Sequence, residues 1–320
     1  MWLMVFIGHF VFLKSNPMMN KLKIAALGFV LILALQACKQ KPVAYNDTIS
    51  EGNAKFAADE SFEPIVEEEN YIFKALDPKA QPQIIYKPEN EVVNLLLQDS
   101  VRVVIISRQL DSGELKVLKT RQLTPSVSRF AIDAVAIIVN KASNDTTITV
   151  ADIKKMLNGQ AKSAMNIVFD NPNSSLVRYL KTLSGVNDFK LKNIFALKSN
   201  KEVIKYVSTH PDAIGFTGFN WLDDPDKDYA DAVNNIKIVS VKDEDNKKYG
   251  TQYYKPSQQT LSLGQYPLKR DLYIINCTGR QGLGTGFELF LNSDRGQRIV
   301  LSSGLLPNVM PEREIVIKKK

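Results

Sequence analysis

Residues Phe169 to Tyr179, Phe-Asp-Asn-Pro-Asn-Ser-Ser-Leu-Val-Arg-Tyr, carry a spacing that suits anion chemistry. Ile167-Val-Phe169 ends a short apolar run, and Asn171-Pro-Asn-Ser-Ser175 is a turn of small hydrogen-bonding groups. Leu176, Val177 and Leu180 then recur at helical spacing. A strand that ends in such a loop and opens a helix aims unpaired backbone N–H groups and the positive helix end at one spot, which suits an oxyanion. Arg178, one turn in, offers a planar fork of donors. The same residues also serve a purely structural end, with Asn173 or Ser174 capping the helix. Taken alone, the stretch leaves both readings open. Ser61-Phe62 at a helix start and Ser107-Arg108 after a strand have similar makings.

The elements that would position these loops alternate between strand and helix. Asp59-Glu-Ser-Phe62 opens a helical pattern carried by Ile65, Val66, Tyr71 and Phe73, and Ile84-Ile-Tyr86 reads as a strand. Glu89 to Gln98 reads as a helix, and Val101 to Ile106 as a strand buried on both faces. Gly113 to Leu118 starts another helix, Ile132 to Asn140 is a long strand, and Thr149 caps a helix that stops at Asn158-Gly159. Asn200 caps a further helix. Ala213 to Phe219, Ile236 to Val241 and Leu272 to Asn276 read as strands, with helices at 286–292 and 294–302. This alternation predicts a doubly wound α/β fold, in which loops at the carboxyl ends of strands face one cleft.

Composition narrows the chemistry. At 320 residues with 44% hydrophobic and 23% charged content, the chain can bury a large core and has room for about two domains. The net charge is +7, and residues 1–37 contribute Lys14, Lys21 and Lys23 with no acid. That mild excess carries no basic stripe interleaved with aromatics, which argues against nucleic acid. The tail Lys318-Lys-Lys320 reads as a solvated end. Beyond residue 37 one histidine remains, His210, followed by Pro211 at a helix end. A Ser-His-Asp hydrolase or a multi-histidine metal site is therefore not expected. Gly282-Leu-Gly-Thr-Gly286 follows a strand and opens a helix, but its spacing is not that of a dinucleotide loop and no P-loop lysine follows. Flexible turn glycines account for it.

The first forty residues read as targeting sequence. Asn20-Lys-Leu-Lys23 is a positive segment, Ile24 to Leu35 is an apolar run, and Leu35-Gln-Ala-Cys38 closes it. That run has the length of a signal-peptide core, not of a comfortable membrane span. The ending resembles a bacterial lipobox, so Cys38 is the expected lipidated residue. Residues 1–37 would be removed, with translation starting at Met18 or Met19, and 38–52 would form a tether. Cys277 then has no partner for an intramolecular disulfide.

Several longer stretches carry a family resemblance. They are Asp133-Ala-Val-Ala-Ile-Ile-Val-Asn140 with the Thr149–Gly159 helix, Ala213-Ile-Gly-Phe216, Tyr266-Pro-Leu-Lys-Arg270 with Leu272-Tyr273, and Gly296-Gln-Arg-Ile-Val300 through Gly304-Leu-Leu-Pro307. Through them residues 55–313 resemble the periplasmic phosphate-binding component of ABC transporters, in a lipoprotein form like those of Bacteroidetes. The resemblance implies a two-lobed, type II periplasmic-binding-protein fold, each lobe a mixed sheet flanked by helices. Residues 53–132 and 256–320 would form lobe one and 133–255 lobe two, hinged by crossovers near Ile132–Ala136 and Tyr253–Leu268. It implies ligand contacts from Ser61, Phe62, Ser107, Arg108, Asn173, Ser174, Ser175 and Arg178. The turn lacks the family's glycine, its preceding arginine is replaced by Phe169 or Asp170, and the aspartate that accepts the ligand's proton is missing near Ser107. Arg108 or Arg178 would then supply the charge, and Asp59 or Asp170 the carboxylate.

The function so implied is capture of inorganic phosphate by a monomeric, envelope-located, lipid-anchored receptor that feeds a permease, without cofactor, metal or catalytic step. Receptors for another oxyanion, a phosphatase on this fold and a ligand-sensing surface lipoprotein are the alternatives.

Overall fold

The computed structural model describes residues 46–161 and 165–312. The expected signal peptide, Cys38, most of the tether and the lysine tail lie outside the described residues. β1 (Gly52–Asp59) leads through a 3-10 turn, Glu60–Phe62, into α1 (Glu63–Leu76). β2 (Ala80–Lys87), α2 (Glu89–Leu97), β3 (Val103–Ile106) and α3 (Ser112–Thr120) continue the alternation. The long β4 (Ser126–Asn140) follows, then β5 (Thr147–Thr149), α4 (Val150–Asn158), β6 (Asn166–Phe169) and α5 (Ser175–Ser184). β7 (Ile194–Ala196), α6 (Asn200–Thr209), β8 (Ala213–Gly218), α7 (Ala230–Asn234), β9 (Ile236–Ile238) and β10 (Ser240–Lys242) come next. α8 (Gln258–Ser262), β11 (Lys269–Asn276), α9 (Leu283–Leu291), α10 (Asp294–Ser302) and β12 (Leu306–Pro307) close the fold.

Local chemistry sets the helix ends. Asp111 and Glu114 form a reciprocal capping box on α3, and Thr149 caps α4 by accepting from the Asp152 amide. Gly159 stops α4 at φ +81, a left-handed conformation that glycine adopts without a Cβ penalty.

The strands run in the order β2-β1-β3-β11-β4-β8-β6-β7, a mixed sheet. β1 lies parallel to β2 and β3, whereas β11 is antiparallel to β3 and β4. β4 belongs to both halves. Its first part pairs with β11, and Val135–Val139 pair with Gly218–Ile214 of β8. Its alternating side chains feed two cores: Val135, Ile137 and Val139 pack with α4 and α5, and Ala136 and Ile138 pack with α6. The other half is built the same way, with Phe56, Phe62, Phe73 and Phe287 on one face and Val92, Leu96, Ile106 and Leu118 on the other.

The chain crosses between the halves twice. It leaves along β4 and returns just ahead of β11. The two crossovers touch: the Val135 amide donates to the Leu268 carbonyl at 2.8 Å, and the Tyr266 hydroxyl donates to the Val135 carbonyl at 2.7 Å.

Four features depart from the sequence expectation. α6 is capped by Ser199, whose side chain accepts from the Glu202 amide, and not by Asn200. Gly52–Asp59 is a strand, although Asn53, Lys55 and the alanines give little β signal; pairing on both edges supplies what propensity lacks. Ile236–Val241 is two strands, because β9 pairs with β4 and β10 with β5. The described end of the tether is docked. The Asp47 carboxylate accepts from the Leu283 amide at 2.8 Å and pairs with Arg280, which caps α9. A Cβ on Gly286 would sit 1.8 Å from the Ile49 carbonyl oxygen. The glycines expected in a flexible turn thus lie at the start of α9, where they seat residues 47–49.

Candidate functional site

Ser174 is the N-cap of α5. Its hydroxyl accepts from the Val177 amide at 3.2 Å and donates to Asp170 Oδ1 at 2.5 Å. Asp170 is the first residue after β6 and is fully buried, and its Oδ2 also accepts from Ser61 Oγ at 3.2 Å and Asn200 Nδ2 at 3.1 Å. The hydroxyl of the Ser61 turn therefore crosses to the loop ahead of α5. Asn220 Nδ2 and Trp221 Nε1 donate to the Ser61 carbonyl at 3.2 and 2.9 Å and tie the same turn to the end of β8.

The guanidinium in this cluster belongs to Arg270 of β11, which is 3% exposed. Its Nη2 donates to Asp133 Oδ2 at 2.7 Å, its Nη1 to Ser175 Oγ at 3.1 Å, and the Phe62 ring lies 4.7 Å from the guanidinium carbon. Gly218 makes room here: a Cβ would stand 2.5 Å from Asn220 Oδ1 and 3.0 Å from Arg270 Nη2.

Three aspartates, Asp59, Asp133 and Asp170, are fully buried around this single cation. Burial raises the carboxyl of Asp170 to about 6, against the hydrogen bonds from Ser174 and Ser61. Burial, with the Glu89 charge adding to it, raises Asp59 to about 7. Asp133 is also raised by burial, although Arg270 opposes the shift. Asp59 Oδ1 accepts from the Ser61 amide at 3.1 Å; its Oδ2 has no partner within hydrogen-bond geometry, although the neighbouring Ser175 hydroxyl draws the carboxyl's pKa down. Asn220 Oδ1 and Arg270 Nε are likewise buried without a partner. Unmet groups of this kind are costly inside a protein, so two acceptors and a donor are left for something to satisfy.

Seven of the eight expected contact residues fall into two sets. Ser61, Phe62, Ser174 and Ser175 meet in the buried cluster. Ser107, Arg108 and Arg178 gather instead at Glu89, the first residue of α2, which is 1% exposed. Glu89 Oε1 accepts from the Ser107 amide and hydroxyl at 3.1 and 3.0 Å, and Arg178 Nε donates to Oε2 at 2.5 Å. Arg178 Nη2 also donates to Ser107 Oγ at 2.7 Å. Arg108 is spent mainly on Glu114, in a fork of two 2.7 Å bonds. Asn173 is exposed, and its amide closes the turn onto Asn171 Oδ1. Arg108 and Arg178, expected to supply the charge beside the serines, are both engaged by buried or half-buried acids, and the guanidinium that bonds Ser175 is that of Arg270.

Arg270 escaped the sequence reading because Lys269 and Asp271 flank it, and a run of charges in a strand suggests solvent. The signal was its parity. Residues 270, 272 and 274 share one face of β11, and Leu272 and Ile274 are both buried. Asp133 and Asn220 carried no such mark. Among the described residues no group of three or more His, Cys, Asp or Glu is placed to hold a metal ion, and no helix is long and apolar enough to cross a membrane.

Comparison with known proteins adds the following. The sequence model of the PBP superfamily domain matches residues 43–295. The phosphate-binding protein PstS of Borreliella burgdorferi is 27% identical over 235 residues, covering 67% of this chain and 75% of that protein. Among solved structures, one from Clostridium perfringens, assigned as a phosphate ABC transporter substrate-binding protein and holding bound phosphate, superposes with a TM-score of 0.66 at 17% identity. It covers 80% of this chain and 99% of its own. An ABC-type phosphate transport receptor from Vibrio cholerae gives 0.60 at 18% identity over 79% of this chain and 99% of its own.

Proposed function

The chain belongs to the PBP superfamily, with its two-lobed type II fold, and on that premise we propose that it captures inorganic phosphate between its lobes and delivers it to the permease of an ABC transporter. The reading takes residues 53–132 and 256–320 as one lobe and 133–255 as the other. Ser61 and Arg270 then lie on the first lobe, and Asp133, Asp170, Ser174, Ser175 and Asn220 on the second. The bonds from Ser61 to Asp170, Asn220 and Trp221 and from Arg270 to Ser175 then span the cleft, as hinge closure over a ligand requires, while Arg270 and Asp133 pair at the hinge. The relatives named as phosphate-binding support the ligand class.

One observation carries the reading within the site. The unmet atoms are one donor, Arg270 Nε, and two acceptors, Asp59 Oδ2 and Asn220 Oδ1. Sulfate only accepts hydrogen bonds. Hydrogen phosphate accepts and donates, so it can answer Arg270 with an oxygen and Asp59 or Asn220 with a hydroxyl. The hydroxyls of Ser61 and Ser174 donate to Asp170 and that of Ser175 accepts from Arg270, so each would turn to the ligand on binding, and the start of α5 adds its dipole. Binding and release need no covalent step, so the proposed role is not enzymatic. Lipidation at Cys38 would hold the receptor at the envelope beside its permease.

The test is equilibrium dialysis with labelled phosphate on the Ser61→Ala/Ser175→Ala variant. A loss of at least about tenfold in affinity is expected, since each hydrogen bond to a charged ligand contributes roughly 1.5–3 kcal/mol. Unchanged affinity would remove this cluster as the site.

A further inference from the structure

The second gathering of charge, around Glu89, shares no residue with the buried Arg270 cluster. Glu89 opens α2 and is 1% exposed. Its own half of the protein supplies the amide and hydroxyl of Ser107, at 3.1 and 3.0 Å. From the other half comes Arg178 of α5. It donates from Nε to Glu89 Oε2 at 2.5 Å, and from Nη2 to Glu89 Oε1 at 3.3 Å and Ser107 Oγ at 2.7 Å. Arg108 also stands 3.7 Å from the carboxylate, but it lies on the Glu89 side and is forked onto Glu114.

The Arg178 side chain is 37% exposed and lines a recess of about 460 Å³ walled from both halves. Asn90 comes from one side, and Asn173, Ser174 and Lys181 from the other. The pair therefore lies at the rim of the cleft, with the carboxylate turned inward and the guanidinium reaching water. Hydrogen bonds between ionised partners are roughly twice as strong as neutral ones. If the lobes part, Glu89 keeps its Ser107 donors, because both residues belong to 53–132. The bonds from Arg178 break, because it belongs to 133–255. These bonds thus act on the hinge and not on the fold of either lobe, and they favour the closed arrangement.

We propose that Arg178 is a latch: by engaging Glu89 and Ser107 across the cleft, it holds the lobes closed and sets how slowly the ligand leaves. The inference rests on the lobe division and the phosphate reading given above. With Nε and Nη2 turned to Glu89 and Ser107, Arg178 is a positioning residue that acts on the ligand through closure.

The test is the release rate of labelled phosphate, chased from the purified protein with an excess of unlabelled phosphate. Arg178→Met should speed release about tenfold or more, because bonds to a charged group contribute on that scale. Glu89→Gln keeps an oxygen for Ser107 but removes the charge, and it should speed release as well. Both changes break one latch, so the double variant should release within about twofold of Arg178→Met. A direct contact between Arg178 and phosphate gives the opposite sign, since Glu89→Gln would free the arginine to hold the ligand longer. Slower release from Glu89→Gln, unchanged release from Arg178→Met, or a double variant as fast as the product of the two single effects overturns the proposal. Cooperative thermal unfolding of each variant shows that the lobes themselves are intact. A wild-type protein that takes up no phosphate removes the phosphate reading and not the latch, which small-angle X-ray scattering then reads without ligand. Arg178→Met should show a larger radius of gyration than the wild type, and equal radii would overturn the latch.

Discussion

Replacing Arg270 by methionine tests whether this residue is the electrostatic centre of the buried cluster. Arg270 is 3% exposed and Asp133 is fully buried, so the substitution leaves a desolvated carboxylate whose remaining donors are backbone amides, that of Asn220 at 3.3 Å among them. Breaking a buried pair from one side costs about 3–5 kcal/mol. For a folded body of this size that corresponds to a fall in melting temperature of roughly 5–9 °C. Arg270→Met/Asp133→Asn removes both charges and should recover most of the loss, because a buried pair as a whole contributes little. Phosphate binding should not return with it. The pH dependence fixes the mechanism. Asp133 is already raised above its ordinary value, and losing Arg270 raises it further. In the single variant the folded state then binds the extra proton, so its deficit is largest at neutral and alkaline pH and shrinks as the pH falls. Differential scanning calorimetry at pH 5.5 and 8 reads both effects. A loss below about 1 kcal/mol, or a double variant no more stable than the single one, would refute the reasoning.

The ligand-free protein should itself lose stability as the pH rises from about 5 to 8. Asp59 and Glu60 are raised to about 7, Asp170 to about 6 and Glu69 to about 9, in each case first by burial. These folded values lie above the unfolded ones, so the native state holds more protons across that window, and urea midpoints should fall with pH; a rise would contradict the shifts. Gly286→Ala should expel residues 46–51 from their seat and raise amide exchange at the start of β1, while phosphate affinity stays within about twofold. Ser174→Ala should cost about 1 kcal/mol through the lost cap and weaken phosphate binding, whereas Asn173→Ala at the exposed tip should do neither.

Much of the architecture was legible because it rests on patterns local in sequence. Val103–Ile106 announces a strand buried on both faces, and Thr149 with Gly159 brackets α4. β1 was not legible, since its stability comes from neighbours on both edges and not from its own residues. The site divides the same way. Ser174 and Ser175 sit at a strand–loop–helix junction that a short window reveals. Arg270 and Asp133 are 137 residues apart and meet only because β11 and β4 pair, with Arg270 opposite Asp133 in register. The converse case has the same source. Arg178 looked available in its own helix, but the acid that engages it, Glu89, comes from another element 89 residues away.

Calorimetric titration of the purified protein with phosphate at neutral pH, after unfolding and refolding to strip bound ligand, tests the central claim most directly. Sulfate is the control. The account predicts saturable, one-to-one phosphate binding with no sulfate heat, because Asn220 Oδ1, an amide oxygen that only accepts, requires a ligand that donates a hydrogen bond. Equal binding of both anions, or of neither, would contradict it.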